Sequence, residues 1–294
     1  MPDTGTRRQL KSPISNKTIG KCIYCGSTNN LSDEHVLAYA LHSDQQLYKA
    51  SCPECAGMTS QIELRVLREA YGPARHILNM RTRHKKNRKE RTSYPVVMEK
   101  DGSEVVEDLP IEDFPAAIIA PVFGYPEYIA EHYRGLGISL PTGFLTAGVV
   151  AFQRPNGKDV DEIKKQYEAS KVSIQSEMSW KDFARFLAKV GYGFIVAKYG
   201  LENIEEAYVL DTILGRTDDV LRYVGCQGLN RQLPNRKVKG IFHNIGVDVQ
   251  RGEFVFWLRL FDNFNNAPEY IVVVGKATWQ LCGLLRSVGH KNVL

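Results

Sequence analysis

The 294-residue sequence predicts an α+β protein in which a small, metal-stapled N-terminal module precedes a larger mixed domain. Three observations predict it. Two C-x-x-C pairs fall within the first 55 residues, an amphipathic segment follows the second pair, and the C-terminal third consists of β-rich runs separated by Gly, Asp and Asn.

The first 18 residues are polar, without apolar periodicity, and are expected to form a mobile basic tail. Residues 19–92 are expected to form the module. From Ser60, the segment SQIELRVLREAYG places Ile62, Val66, Leu67 and Ala70 at helical spacing, with Arg65, Arg68 and Glu69 turned the other way. The run RTRHKKNRKER, residues 81–91, has Lys or Arg at seven of eleven positions and marks the module's end.

Residues 93–294 are read as a mixed α+β domain without a catalytic motif of their own. An extended stretch is expected at 143–153 and a helix at Trp180–Tyr199, with Trp180, Phe183, Phe186, Leu187 and Val190 on one face. VKGIFHNIGVDVQ, EFVFWLRLF and EYIVVVG are expected to be antiparallel strands. Cys226, Cys282 and His243 are read as structural residues.

Charge is unevenly distributed. The chain carries a net +5, but residues 1–91 hold 16 Lys/Arg against 8 Asp/Glu, so the remainder is slightly acidic. No apolar run approaches the roughly 20 residues needed to span a bilayer. The start lacks the apolar core of a secretory signal, which makes the cytoplasm the expected compartment and argues against disulfides.

Cys22-x-x-Cys25 and Cys52-x-x-Cys55 then offer four thiolates suited to tetrahedral Zn²⁺. With four protein ligands the site has no open position, so the zinc would be structural. Between the pairs lies Ser32-Asp33-Glu34-His35. A carboxylate beside a histidine can divide the work of phosphodiester hydrolysis, the carboxylate holding a hard divalent cation and the neutral imidazole deprotonating a water.

The segments CIYCG, SDEHVLAYAL, LYKASCPEC and TSQIELRVLREAYGPAR together resemble the HNH, or ββα-metal, endonuclease family in its zinc-stapled four-cysteine form. The resemblance covers about residues 20–91. It implies a ββα-metal module, Glu34 as a ligand of a catalytic Mg²⁺ or Mn²⁺, His35 as general base and Asp33 as support for either.

The family's middle asparagine is matched here by Gln46, and its metal-binding residue after the last cysteine is replaced by Ala56. That leaves the second ligand of the catalytic ion open. Glu63 is the candidate, ahead of Thr59 and Ser60, although Ser60-x-x-Glu63 also fits a capping box.

The implied activity is metal-dependent endonucleolytic cleavage of nucleic acid, DNA in preference to RNA, leaving 5′-phosphate and 3′-hydroxyl ends. Arg65, Arg68, Arg81, Arg83, Lys85, Lys86, Arg88, Lys89 and Arg91 are the expected phosphate contacts, with Arg75 extending the same surface. Two other readings stand beside it: a non-enzymatic zinc module that grips DNA or RNA, and an adaptor whose function lies in residues 93–294. No membrane partner is expected, and the sequence assigns no oligomeric state.

Overall fold

The computed structural model describes residues 17–41, 43–78, 80, 92–115, 117–151, 158–174, 179–226, 244–262 and 267–287. The basic run 81–91, most of the expected tail and His243 lie outside the described residues.

The fold is mixed α+β, with several antiparallel sheets. At its N-terminal end, β1 (Lys17–Thr18), β2 (Ser32–His35) and β3 (Gln46–Ser51) form a sheet in the order β1-β3-β2. β3 runs antiparallel to β2 and parallel to β1.

The next element, α1 (Pro53–Arg65), begins directly after Cys52, with proline in its first turn, where a missing N–H costs no hydrogen bond. The helix therefore starts seven residues before the expected Ser60. Ser60 is mid-helix, its hydroxyl donating to the Gly57 carbonyl, so the capping-box reading of Ser60 and Glu63 is incorrect. A π-helical turn at Val66–Ala70 and α2 (Gly72–Ile77) complete this part.

β4 (Ser93–Lys100) and β5 (Ser103–Pro110) form a hairpin whose turn, Asp101-Gly102, has positive φ at both positions. Such a turn matches the twist of the flanking strands, and Asp-Gly is among its favoured sequences. β6 (Ala117–Phe123), α3 (Glu127–Arg134) and β7 (Phe144–Ala151) follow, with β7 where an extended stretch is expected and antiparallel to β6. α4 (Val160–Gln166) is closed at its start by a capping box between Asp159 and Glu162, and β8 (Lys171–Ser173) adds to the free edge of β4. Tyr94, Val96, Met98, Leu109, Phe114 and Ile163 make a second, smaller core here.

The helix expected at Trp180–Tyr199 is α5, with those bounds. Fifteen of its 20 residues are buried, so it is covered on all sides rather than along one stripe. After it come β9 (Ile204–Ala207), α6 (Leu210–Ile213), β10 (Val224–Cys226), β11 (Asn244–Gln250), β12 (Glu253–Arg259), β13 (Tyr270–Ala277) and α7 (Trp279–Ser287). The last strands form an antiparallel sheet in the order β10-β13-β12-β11, with β9 also on β13.

Two glycines let α5 serve both sides of the protein. A methyl group at Gly191 would come within 2.9 Å of the Phe256 ring on β12, and one at Gly193 within 3.4 Å of Val36, just after β2. The buried residues of 22–80 accordingly belong to the same core as α5 and the C-terminal sheet. Cys226 and Cys282 are buried in that core, as expected, and burial pushes the Cys226 thiol up to about 12.

Candidate metal centre and carboxylate site

The first cysteine pair sits in a tight turn. The Gly26 N–H donates to the Cys22 carbonyl, the Cys22 N–H donates to Ser27, and Gly26 adopts φ +78°, a conformation glycine reaches without steric cost. The second pair uses the start of a helix: Cys52 precedes the first turn of α1 and Cys55 lies within it. The Ile23 N–H, donating to Ala50 near the end of β3, brings the two together.

As a result one ligand atom from each of Cys22, Cys25, Cys52 and Cys55 lies within 4.8 Å of every other. The Sγ atoms of Cys25 and Cys52 are 3.6 Å apart. Tetrahedral Zn–S bonds of about 2.3 Å require sulfurs slightly under 4 Å apart, so the cluster can hold a metal ion such as zinc. The Cys55 N–H lowers the Cys52 thiol to about 7, which favours the thiolate a metal needs, while burial pushes Cys55 up.

The sequence between the knuckles is arranged by an irregularity in the β2–β3 pairing. Ser32 pairs with Ser51 and Glu34 with Leu47, so β3 holds extra residues opposite Asp33. Lys49, one of them, has φ +48°, and its N–H donates to Asp33 Oδ1 at 2.9 Å. Asp33 is therefore exposed and tied to the backbone of β3, while Glu34 turns inward.

Glu34 and Glu63 meet there, one from β2 and the other from α1. Between them lies the ammonium of Lys189 from α5, 2.8 Å from Glu34 Oε1 and 2.6 Å from Glu63 Oε1. The same ammonium donates to the backbone carbonyl of His35. The side chains are 2% (Lys189), 8% (Glu34) and 19% (Glu63) exposed, so water screens little of this contact. Burial by itself disfavours the ammonium, but the two carboxylates more than offset it and hold its pKa above the usual lysine range.

Tyr24, two residues beyond Cys22, completes the surroundings. Its buried hydroxyl is close enough for Glu34 and Glu63 to add to the rise in its pKa that burial causes, yet it is not placed to make a well-formed hydrogen bond.

His35 closes β2 and pairs with Gln46 in the strand register. The Gln46 side-chain amide lies 2.8 Å from His35 Nε2. The contact holds the ring in one orientation, and which partner donates depends on the imidazole tautomer. Thr59 is buried and donates to the Cys55 carbonyl, and Ala56 presents no ligand atom.

The described arginines divide by partner. Arg65 Nη1 is 2.9 Å from Asp182 Oδ2 on α5 with its side chain 48% exposed, Arg75 donates to the Leu67 carbonyl, and Arg68 is exposed. Arg81, Arg83, Lys85, Lys86, Arg88, Lys89 and Arg91 lie outside the described residues.

Sequence reasoning missed Lys189, because a lysine in a helix reads as a solvated residue. Its neighbours carry the signal: α5 has small residues on more than one side, with Gly191 against Phe256 and Gly193 against Val36, so no side of it is left for a solvated lysine. A lysine in a helix packed on all sides needs a carboxylate partner.

The two metals expected from the sequence fare differently. Four converging thiolates fit zinc. Glu34 and Glu63, as arranged, do not fit Mg²⁺ or Mn²⁺, because both carboxylates are engaged by a fixed ammonium that would lie against any ion placed between them. No family model matches the chain, and neither a curated protein nor a solved structure matches it. Among the described residues no helix is long and apolar enough to cross a membrane.

Proposed function

We propose that this chain is an endonuclease similar to the HNH type that hydrolyses phosphodiester bonds, in DNA in preference to RNA, with His35 as general base and, unlike the metal-dependent cleavage expected from the sequence, without a divalent ion between Glu34 and Glu63. The observation that carries the reading is the place of His35 at the end of β2, its ring 2.8 Å from the Gln46 side-chain amide and next in the chain to the buried Glu34. The strand–strand–helix order of β2, β3 and α1, stapled by four cysteines, is the order of parts in the sequence motif that suggested the family.

In this reading zinc bound by Cys22, Cys25, Cys52 and Cys55 supplies only a cross-link between the knuckle turn and the start of α1. The chemistry belongs to the side chains. His35 removes a proton from water, the resulting hydroxide attacks phosphorus, the bond from phosphorus to the 3′ oxygen breaks, and that oxygen takes a proton from solvent. Gln46 holds the imidazole in one orientation, and Lys189 fixes His35 from behind through its backbone carbonyl. Asp33 acts by fixing the β2–β3 irregularity rather than by touching substrate. The basic run 81–91 and Arg68 provide salt-sensitive, sequence-independent attachment to the phosphates.

One observation favours a second reading, in which the module binds nucleic acid without cutting it: the carboxylates that would hold a catalytic ion are already neutralised in part by Lys189. Cleavage of supercoiled plasmid by wild-type and His35→Ala protein of matched zinc content separates the two. Nicking that is lost in the variant supports the nuclease. Salt-sensitive binding with no cleavage under any divalent cation supports the binding module.

A further inference from the structure

We infer that Lys189 is the resident cation of the Glu34–Glu63 pair, standing where a divalent ion would otherwise bind, so that this site takes up no Mg²⁺ or Mn²⁺. The inference deepens the nuclease reading and rests on it for its meaning, though not for its test. Two observations carry it. The ammonium lies within hydrogen-bond distance of a carboxylate oxygen from each of two elements, as a cation bridging them would. It is buried to 2% exposure and anchored a third time by the His35 carbonyl, so it is held in place rather than swinging in from solvent.

Charge explains why the two cations exclude each other. With Lys189 present the cluster carries one net negative charge. A divalent ion entering beside the ammonium would meet a like charge a few ångströms away in a region that water does not screen. Without Lys189, two uncompensated carboxylates would form an all-oxygen site suited to a hard divalent ion. Lys189 is thus a positioning residue: too buried to touch a phosphate, it holds Glu34, Glu63 and the backbone of His35 together.

The test uses full-length, zinc-loaded protein and Mn²⁺ alone as the probe, with free Mn²⁺ followed by electron paramagnetic resonance. Thiolates prefer zinc to manganese, so the cysteine cluster does not compete. Wild type is expected to leave Mn²⁺ free, whereas Lys189→Met binds one equivalent about tenfold or more tighter than wild type and loses it again when Glu63→Gln is added. One equivalent bound by wild type and lost in Glu34→Gln would overturn the inference, and so would a Lys189→Met protein with normal circular dichroism and zinc content that gains no Mn²⁺ binding. If Lys189→Met does not fold, the wild-type and Glu34→Gln titrations decide alone. Plasmid cleavage in the same samples reads the nuclease separately: its absence under every condition sinks that reading and leaves the Mn²⁺ result standing.

Discussion

Replacing Lys189 by methionine keeps most of the side chain's length and apolar stem while removing the charge. In wild type the ammonium meets Glu34 at 2.8 Å, Glu63 at 2.6 Å and the His35 carbonyl, with Glu34 and Lys189 nearly fully buried. Removing one partner of such a cluster leaves carboxylates without a counter-charge, a change that costs about 3–5 kcal/mol. For a chain of this size that corresponds to a fall in Tm of roughly 6–20 °C. The partly exposed Glu63 can turn to water more easily than Glu34, which places the expectation at the lower end. Replacing all three, as Lys189→Met with Glu34→Gln and Glu63→Gln, removes the stranded charges and should recover most of the loss. The sign of the pH dependence follows from the same picture. Lys189 has its pKa raised in the fold, so its contribution is fully present below the unfolded lysine value and is lost only as pH rises through the folded one. Up to about pH 9 Lys189 itself therefore adds no pH dependence. Toward acid pH the wild-type advantage should shrink, because burial without a counter-charge favours protonation of the variant's carboxylates and protonation relieves them. Thermal unfolding of zinc-loaded samples across this range measures both effects. A Lys189→Met protein as stable as wild type at neutral pH, or a triple variant no better than the single one, would refute the assignment of Lys189 as a charge the fold depends on.

Cys52→Ser should lose bound zinc, read by metal analysis, and should lower the unfolding temperature, because Cys22, Cys52 and Cys55 are buried in the main core rather than in a detachable appendage. Tyr192→Phe removes a buried hydroxyl that donates to the Ile23 carbonyl at 2.6 Å, and should cost about 1 kcal/mol in urea unfolding with zinc content unchanged. Gly191→Ala drives a methyl group against the Phe256 ring and should cost about 1–3 kcal/mol, whereas Gly283→Ala on α7, where an added methyl meets nothing within 4 Å, should not destabilise.

The elements legible in the sequence were those whose pattern is local. α5 is legible with its bounds because its aromatic face repeats at helical spacing, and β7, β12 and β13 are legible because β-branched and aromatic runs end at turn residues. The cysteine cluster was legible because each knuckle brings its own two sulfurs together. The start of α1 is less legible, because the apolar periodicity is clear only from Ile62 onward while the helix begins at Pro53. Glu34 and Glu63 were both singled out, but their meeting depends on the β2–β3 irregularity that Lys49 and Asp33 create, and no spacing rule encodes that.

What sequence could least reveal is how the N-terminal strands and α1 are joined to the rest, and α5 supplies that connection. Asp182, Lys189 and Tyr192 stand seven and three residues apart, a spacing that places them along one side of the helix. Asp182 takes Arg65 from the end of α1, Lys189 takes Glu63 from α1 and Glu34 from β2, and Tyr192 takes the Ile23 carbonyl inside the first knuckle. The contacts run in order along α5, so the docking has a register that apolar packing alone would leave free to slide. Each of these residues reads in isolation as an ordinary polar position on a helix in the part of the chain with no motif. Together they show that the carboxylate site is completed from outside the segment that resembles a nuclease module: residues 20–91 hold Glu34, His35 and Glu63, but the cation among them comes from residue 189. A fragment ending near residue 92 would therefore expose both carboxylates without their counter-charge, and the activity proposed for this site is to be sought in the full chain.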